Sequence, residues 1–231
     1  MKGKVILAVG AHPDDTDFGA SGTIARWISE GASAYYVVAT DGSRGSVDPK
    51  MTHKRLAAIR RSEQEQAAKA IGVKKVFFLN HPDTQLLSDL KLKEELVKII
   101  RLVKPNIVIT MDPTFYYSQE FINHSDHRAV ALAAMDAVFP LARDRLTFPE
   151  HEKQGLRPHR VEEILFSNFR EGSYVVDITK TLEKKIKALS SHKSQFDNFP
   201  EVEKRVRERA KMAGKKSGYK AAEAFNRVKI S

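Results

Sequence analysis

The sequence contains no cysteine. Disulfide bonds, thiolate nucleophiles and cysteine-ligated metal centres are therefore excluded, and any transition metal must be held by His, Asp or Glu. Long apolar runs are missing too, since no segment approaches the roughly 20 apolar residues that a membrane-spanning helix needs. The apolar run 5–9 is too short for the core of a signal peptide, and we interpret it as a buried strand of a cytoplasmic protein.

The net charge of +10 comes mainly from the last part of the chain. Residues 201–231 carry ten Lys or Arg against four Asp or Glu, whereas residues 1–200 carry 29 against 25. We expect this basic segment, about 201–231, to be helical, and a solvated face or tail explains it more simply than a nucleic-acid surface does. We predict no nucleic-acid partner and no membrane partner, and leave steering of an anionic substrate open.

Short apolar runs rich in β-branched residues alternate with longer amphipathic stretches. This pattern predicts an α/β fold, a single-domain Rossmann-like three-layer sandwich with a mostly parallel sheet. No internal repeat or linker marks a second domain, so we expect one domain over residues 1–231, with an extended loop at 140–160. The predicted strands are 5–9, 34–39, 75–79, 106–111, 164–168 and 174–176, and the predicted helices are 19–30, 53–71, 90–103, 125–138, 182–191 and 201–213.

Polar side chains concentrate where the predicted strands end. The sequence Ala11-His12-Pro13-Asp14-Asp15 directly follows the first strand. Ligands of a parallel α/β sheet bind beyond the carboxyl ends of its strands. His12 and Asp15 can converge there on one metal ion, while Asp14 stays free to act on a bound water. Taken alone, the same turn could also be a helix cap that happens to carry two carboxylates.

A second polar cluster, Asn123-His124-Ser125-Asp126-His127, follows the fourth predicted strand. His124 and His127 stand three residues apart, so on a helical turn they share a face. Two His and one Asp, with coordination positions left open, are the usual protein share of a catalytic zinc site. Two such clusters at one predicted edge of the sheet favour a metal centre over surface or capping residues.

These motifs resemble the PIG-L / LmbE-like family of zinc-dependent N-acetylglucosamine de-N-acetylases, and the similarity runs over most of the chain. The Ala-His-Pro-Asp-Asp and His-Ser-Asp-His motifs are the most specific matches. Thr16 and Ser125 depart from the common pattern, which has Glu and Pro there, and these departures bear on the shape of the substrate pocket. Further matches are Gly19, Gly22, Thr23, Thr40-Asp41-Gly42, Arg60, Glu63, Gly72, Pro82-Asp83, His192-x-Ser194-Gln195 and Ala222-Glu223-Ala224-Phe225.

The resemblance implies a role for each residue of the two main motifs. Asp14 would be the general base, and His124 would stabilise the oxyanion, with Asp126 orienting it. The implied ligands of Zn²⁺ are His12, Asp15 and His127.

Four further residues are expected to contact the substrate. Arg60 could instead pair with a helix carboxylate, and the aromatic residues of the loop 112–123, which also include Tyr117 and Phe121, could serve ordinary packing. The expected substrate contacts are Arg60, Asp17, Tyr116 and His192.

The implied activity is hydrolysis of an N-acetyl group on an N-acetylglucosamine-containing small molecule or glycoconjugate. Zinc lowers the pKa of a bound water to about 7 and polarises the carbonyl, and a neighbouring carboxylate takes the proton of the attacking water. The resemblance also suggests a homo-oligomer. An amidase that acts on a different conjugate at the same site is the nearest alternative.

Three other functions compete with hydrolysis. Two His and one Asp also match the ligand pattern of non-haem iron enzymes. A nucleotide-binding module could use the turn after the first strand, but its two carboxylates repel phosphate, and the sequence has no complete Gly-x-Gly-x-x-Gly or Walker pattern. The basic segment could serve a non-enzymatic binder, whose affinity for nucleic acid would then depend steeply on salt.

Overall fold

A seven-stranded sheet forms the centre of the molecule, as seen in a computed structural model that describes residues 1–167 and 172–230. The strands are β1 (Val5–Gly10), β2 (Ser33–Thr40), β3 (Lys75–His81), β4 (Ile107–Met111), β5 (Glu163–Ser167), β6 (Tyr174–Asp177) and β7 (Ala222–Lys229). The helices are α1 (Asp15–Ser29), α2 (His53–Ile71), α3 (Leu90–Val103), α4 (Ser125–Asp136), α5 (Glu150–Lys153), α6 (Leu182–Leu189) and α7 (Phe199–Lys215).

The strand order is β3-β2-β1-β4-β5-β7-β6. Strands β1 to β5 pair in parallel, and β7 pairs antiparallel with both β5 and β6. The sheet is therefore mostly parallel, which confirms the predicted α/β fold. Strand β1 has β2 on one side and β4 on the other, so its carboxyl end lies where the strand order reverses, the place at which open α/β sheets bind ligands.

Apolar side chains fill the space on both faces of the sheet. Along β1, Leu7 and Val9 belong to one buried cluster and Ile6 and Ala8 to the other, as the two-residue period of a strand requires. The first cluster includes residues of α3 and α4, and the second includes residues of α1 and α2. The sheet thus lies between two helical layers, and no helix of the described residues is long and apolar enough to cross a membrane.

Most element boundaries agree with the sequence pattern, and α2 and α3 agree to the residue. The first helix begins at Asp15 instead of residue 19, because the Asp14 carbonyl oxygen already accepts the amides of Asp17 and Phe18. Helix α4 ends at Asp136, and a kinked turn that contains Pro140 follows it. Residue 168, the end of one predicted strand, lies outside the described residues.

The predicted loop 140–160 contains the short helix α5 and is anchored by a buried arginine. The guanidinium group of Arg101 donates hydrogen bonds of 2.7–3.3 Å to backbone carbonyls between residues 141 and 148. One side chain of α3 therefore satisfies a polar backbone segment that would otherwise be costly to bury.

The basic segment 201–231 is helical only as far as Lys215. It continues as β7, so the prediction of a helix throughout was wrong for its second half. A half-buried strand is recognised by alternating apolar and polar residues. That pattern is missing here, because the charged residue Glu223 is buried like Ala222 and Phe225.

The buried Glu223 carboxylate binds the interior of α1 together with Lys185 of α6. Glu223 accepts the amides of Gly22 and Thr23 at 3.1 and 2.7 Å, and the Lys185 ammonium group donates to the Phe18 carbonyl oxygen at 2.6 Å and to Glu223 at 2.5 Å. The Phe18 carbonyl and the Gly22 amide pair with each other in a regular α-helix. The ion pair supplies partners for both groups and ties α1 to the distant strand β7.

Candidate active site

Three side chains meet at the carboxyl end of β1. His12 follows β1, Asp15 begins α1 and His127 lies in the first turn of α4. His12 Nδ1 is 3.2 Å from His127 Nε2, which is itself 3.1 Å from Asp15 Oδ1. Asp15 Oδ2 lies 3.6 Å from His12 Nδ1. The structure thus brings together the three residues that the sequence suggested as metal ligands, in a geometry that can hold a metal ion.

Hydrogen bonds on the far side of each imidazole fix which nitrogen faces this point. His12 Nε2 lies 3.2 Å from Asp126 Oδ2 and 3.1 Å from Asp83 Oδ1, so it donates its proton to carboxylates. His127 Nδ1 lies 3.0 Å from the amide oxygen of Asn123 and donates in the same way. His12 Nδ1 and His127 Nε2 therefore face the shared point, while the other ring nitrogens are held by outer partners, as in metal-ligating histidines.

The spacing of the three donor atoms fits a tetrahedral cation. Zinc bonds of about 2.0–2.1 Å separate neighbouring ligand atoms of a tetrahedron by about 3.3 Å. His127 Nε2 lies 3.1 Å from Asp15 Oδ1 and 3.2 Å from His12 Nδ1, and both separations are close to that value.

Asp15 is held by the backbone of its own motif. Its Oδ2 accepts the amides of Ala11 and His12 at 2.9 and 2.7 Å, which leaves Oδ1 directed at His127. Gly10 gives the side chain room, because a Cβ at Gly10 would lie 2.9 Å from the Asp15 Cβ. The tight turn after β1 therefore fixes the ligand geometry locally.

The charges around the site favour a cation at its centre. Burial alone would lower the pKa of His12, but hydrogen bonds to Asp126, Asp15 and Asp83 outweigh it and raise the pKa to about 12. Burial opposes ionisation of Asp15, yet His127 and His12 hold its pKa well below the usual range. The carboxylates keep a proton on His12, and a metal ion at the shared point would take the place of that proton, since the same negative charges attract it.

Asp14 lies beside the three donors and lines the same cavity. Burial and the charge of Asp15 raise the pKa of its carboxyl group to about 6, against the opposing charge of Arg60. Arg60 is buried, lies 3.6 Å from Asp14 Oδ2 and donates to the carbonyl oxygens of Pro13 and Gly42 at 2.8 and 3.2 Å. Arg60 thus pairs with Asp14 and holds the loops on either side of it.

His124 and Asp126 are linked differently from the sequence expectation. The backbone amide of Asp126 donates to His124 Nδ1 at 3.1 Å, so the proton of a neutral His124 is on Nε2. The Asp126 carboxylate is 4.0 Å from His124 and instead binds His12, together with the amides of Thr84 and Leu86 at 2.7 and 3.2 Å. Asp126 therefore orients His124 through its backbone amide and His12 through its carboxylate.

Burial and the nearby charges of His12 and His127 lower the pKa of His124. A neutral His124 still offers a hydrogen bond, because its Nε2 carries a proton. The sequence expectation allowed for a cationic His124, and the lowered pKa argues for the neutral form.

A cavity of about 930 Å³ opens in front of the site. Its wall includes Phe121, whose ring lies parallel to that of Phe115 at 6.1 Å. Tyr116 was expected to contact the substrate, but neither it nor Tyr117 lines this cavity. Both tyrosines are largely exposed, and Tyr116 lies beneath the guanidinium group of Arg128. The loop turns its phenylalanines inward and these two tyrosines outward.

Four arginines also border this cavity, and two of them belong to helix α7. They are Arg44, Arg60, Arg205 and Arg209.

Asp17 and His192 are fully buried, which corrects the prediction that they contact substrate. His192 Nε2 lies 3.0 Å from Asp17 Oδ2, and the two side chains are buried behind the turn that carries Asp14. Gln64 of α2 joins them, since its Nε2 donates to Asp17 Oδ2 at 2.8 Å and its Oε1 accepts the Asp14 amide at 2.9 Å. These groups support the site from inside.

Three residues of the site were not assigned a role from the sequence. Asn123 and Asp83 stand in segments that the sequence singled out, and they bind the imidazoles of His127 and His12 respectively. Gln64 lies four residues after Arg60 on α2, and this spacing, which puts both on one helix face, was the available signal.

Comparison with known proteins places these residues in a wider group. The model of the PIG-L family, described as GlcNAc-PI de-N-acetylase, matches residues 7–138, a range that includes both polar motifs. The diacetylchitobiose deacetylase of Thermococcus kodakarensis is 32% identical, over 97% of this chain and 83% of that protein.

Two further similarities concern a structure and a second activity. The N,N'-diacetylchitobiose deacetylase of Pyrococcus horikoshii, solved with its inhibitor MPG, superposes with a TM-score of 0.90 at 33% identity, over 98% of this chain and 84% of that chain. The mycothiol S-conjugate amidase of Streptomyces coelicolor is 31% identical, over 64% of this chain and 55% of that protein.

Proposed function

The chain belongs to the PIG-L family, and we propose that it is a zinc-dependent N-deacetylase that removes the acetyl group from an N-acetylglucosamine-containing small molecule. The observation that carries the proposal is the triangle of His12 Nδ1, Asp15 Oδ1 and His127 Nε2, with the Asp14 carboxylate beside it in an open cavity. Relatives that are deacetylases of amino sugars over nearly the whole chain support the substrate class.

The donor triangle would hold Zn²⁺, which when bound lowers the pKa of a water ligand and polarises the substrate carbonyl. Asp14 accepts a proton from the attacking water as the new carbon–oxygen bond forms. Arg60 keeps the Asp14 carboxylate in place by its charge. The proton that Asp14 has gained is then available to the departing amine, whose bond to carbon breaks.

His124 acts on the other side of the reacting carbonyl group. Its Nε2–H donates a hydrogen bond to the carbonyl oxygen as negative charge develops there, while the Asp126 amide keeps the ring in the required tautomer. Asp126, Asp83 and Asn123 hold the two ligand imidazoles by hydrogen bonds, and Phe121 walls the cavity beside the sugar.

Release of acetate and free amine from a panel of N-acetylglucosamine derivatives tests the proposal. The purified protein is assayed as prepared, after chelation and after zinc is added back, with metal content measured in parallel. We expect release that chelation removes and zinc restores. Absence of any bound metal would contradict the proposal, and iron together with oxygen consumption would favour a non-haem iron enzyme.

An amidase for a larger conjugate is the second candidate at the same site. The cavity of about 930 Å³ is near the upper end of small-molecule pockets and has room for more than one sugar ring. The similarity to a mycothiol S-conjugate amidase points the same way. Bound zinc with release from larger acyl conjugates, and none from acetyl substrates, would select this candidate.

We also propose that the protein forms a homo-oligomer. Tyr117 and Ile122 pair with each other in an isolated β-bridge of the loop beside the cavity and are 72% and 79% exposed, so together they form an exposed apolar patch of the kind that marks interaction sites. Light scattering coupled to size-exclusion chromatography tests this, and a mass equal to one chain at assay concentrations would contradict it.

A further inference from the structure

Asp14 has a backbone conformation that side chains rarely adopt. Its φ of 99° and ψ of −29° place it in the left-handed region, where a Cβ crowds the neighbouring carbonyl oxygen. Asp tolerates this region better than most residues but does not prefer it. The turn that presents the Asp14 carboxylate must therefore be held in shape by contacts from outside.

Gln64 makes one of these contacts, and it does so from a completely buried position. Its Oε1 accepts the Asp14 amide at 2.9 Å, and its Nε2 donates to Asp17 Oδ2 at 2.8 Å. The two bonds fix the orientation of the side-chain amide, because a carboxylate only accepts and a backbone N–H only donates.

Asp17 is in turn held by groups from distant parts of the chain. Its Oδ2 faces His192 Nε2 at 3.0 Å, and its Oδ1 accepts the Tyr36 hydroxyl at 3.5 Å. All three side chains are fully buried. Gln64 therefore connects a rigid buried network to the amide of the residue that carries the general base.

Arg60 and Gln64 reach Asp14 in different ways. Arg60 lies near the Asp14 carboxylate and affects its charge, whereas the hydrogen bond from Asp14 to Gln64 comes from the Asp14 backbone amide. We infer that Gln64 is a positioning residue for the deacetylation: it holds the turn so that the Asp14 carboxylate faces the attacking water. This inference rests on the proposed function, because it takes Asp14 as the base.

The test substitutes Gln64→Met, which has a similar volume and makes neither hydrogen bond. We expect kcat to fall about 10- to 100-fold, the size of effect that a displacement of about 1 Å can cause, while KM and zinc content stay unchanged. Gln66→Met is the matched control, since Gln66 lies on the same helix but is exposed, and its kcat should equal that of the unsubstituted protein.

A double-substitution cycle separates positioning from a merely structural effect. In an Asp14→Asn background the base is absent, so adding Gln64→Met should lower the residual kcat by less than about twofold. Losses that multiply would show that Gln64 acts independently of Asp14 and would overturn the inference. Gln64→Leu also makes neither hydrogen bond and adds no charge beside the buried Asp17, so it is the second variant if the Met variant folds poorly and should lose kcat to a similar extent.

Amide hydrogen exchange measured by NMR gives a readout that does not need turnover. The Asp14 amide should exchange faster in Gln64→Met than in Gln66→Met, and equal protection in the two variants would overturn the inference. If the unsubstituted protein releases no acetate from the substrate panel, the proposed function fails, and the exchange measurement still decides whether Gln64 holds Asp14.

Discussion

At the scale of single residues, Asp126 shows how one side chain and its own backbone can serve different groups. Its carboxylate binds His12 and two loop amides, and its amide binds His124. The second motif places Asp126 between His124 and His127 in the sequence. The motif could not predict that the Asp126 carboxylate binds His12, because this contact depends on how the loop with Thr84 and Leu86 folds against Asp126.

This division of labour predicts a loss of metal affinity for Asp126→Asn. The Asp126 carboxylate accepts from His12 and from two backbone amides, whereas Asn is neutral and has a single acceptor oxygen for these three donors, so it holds His12 less firmly. Loss of such a partner typically costs about 10- to 100-fold in metal affinity. Competition with a chelator measures the zinc dissociation constant. An unchanged zinc affinity with a lower kcat would instead support the sequence expectation that the carboxylate serves His124.

Asp14→Asn should separate chemistry from metal binding. Asn has nearly the same shape but cannot accept the proton of the attacking water, so we expect kcat to fall about 100- to 10,000-fold. Zinc content should stay the same, because the three donor atoms belong to other residues. Steady-state kinetics and metal analysis check this, and near-normal turnover would show that Asp14 is not the general base.

At the scale of elements, the predictable parts were those whose pattern is local. Helices α2 and α3 have clear periodicity and clear stops at Gly72 and before Pro105, and their bounds were predicted to the residue. The start of α1 was not, since it depends on the Asp14 conformation. The candidate donors were predictable because they cluster in two short motifs, whereas the burial of His192 depends on Asp17, which is 175 positions away.

The contact between α1 and its buried ion pair predicts a large stability effect at one lysine. Lys185→Met leaves the Glu223 carboxylate buried with only two amide donors, and breaking a buried pair in this way costs about 3–5 kcal/mol in the free energy of unfolding. Urea denaturation measures the change. Lys187→Met, at an exposed position of the same helix, is the control and should change stability little.

At the scale of the whole molecule, the sheet is completed by residues far apart in sequence. The family model ends at residue 138, yet β7 from residues 222–229 lies between β5 and β6. Sequence pattern predicted the parallel part of the sheet, where strand and helix alternate. It missed β7, because no periodic signal distinguishes this strand from the basic helix before it.

Deletion of residues 216–231 should therefore abolish the folded state instead of trimming a tail. The deletion removes the inner strand β7, so β6 has no neighbour among the described strands. It also removes Glu223, which accepts hydrogen bonds from amides of α1. We expect loss of the near-ultraviolet circular dichroism spectrum and of cooperative thermal unfolding. Val228→Ala in the full chain, at a half-exposed position of β7, should keep both. A truncated protein that unfolds cooperatively would contradict this prediction.

The position of β7 also sets the order in which the protein can fold during its synthesis. Strand β6 leaves the ribosome before β7, although β7 is the strand with which it pairs. Strands β1 to β5 can assemble as they emerge, each against a neighbour already made. The edge formed by β7 and β6 cannot form until β7 is made. Until then β6 and the side of α1 that contacts β7 stay exposed in the nascent chain, and chaperones can bind them during this interval.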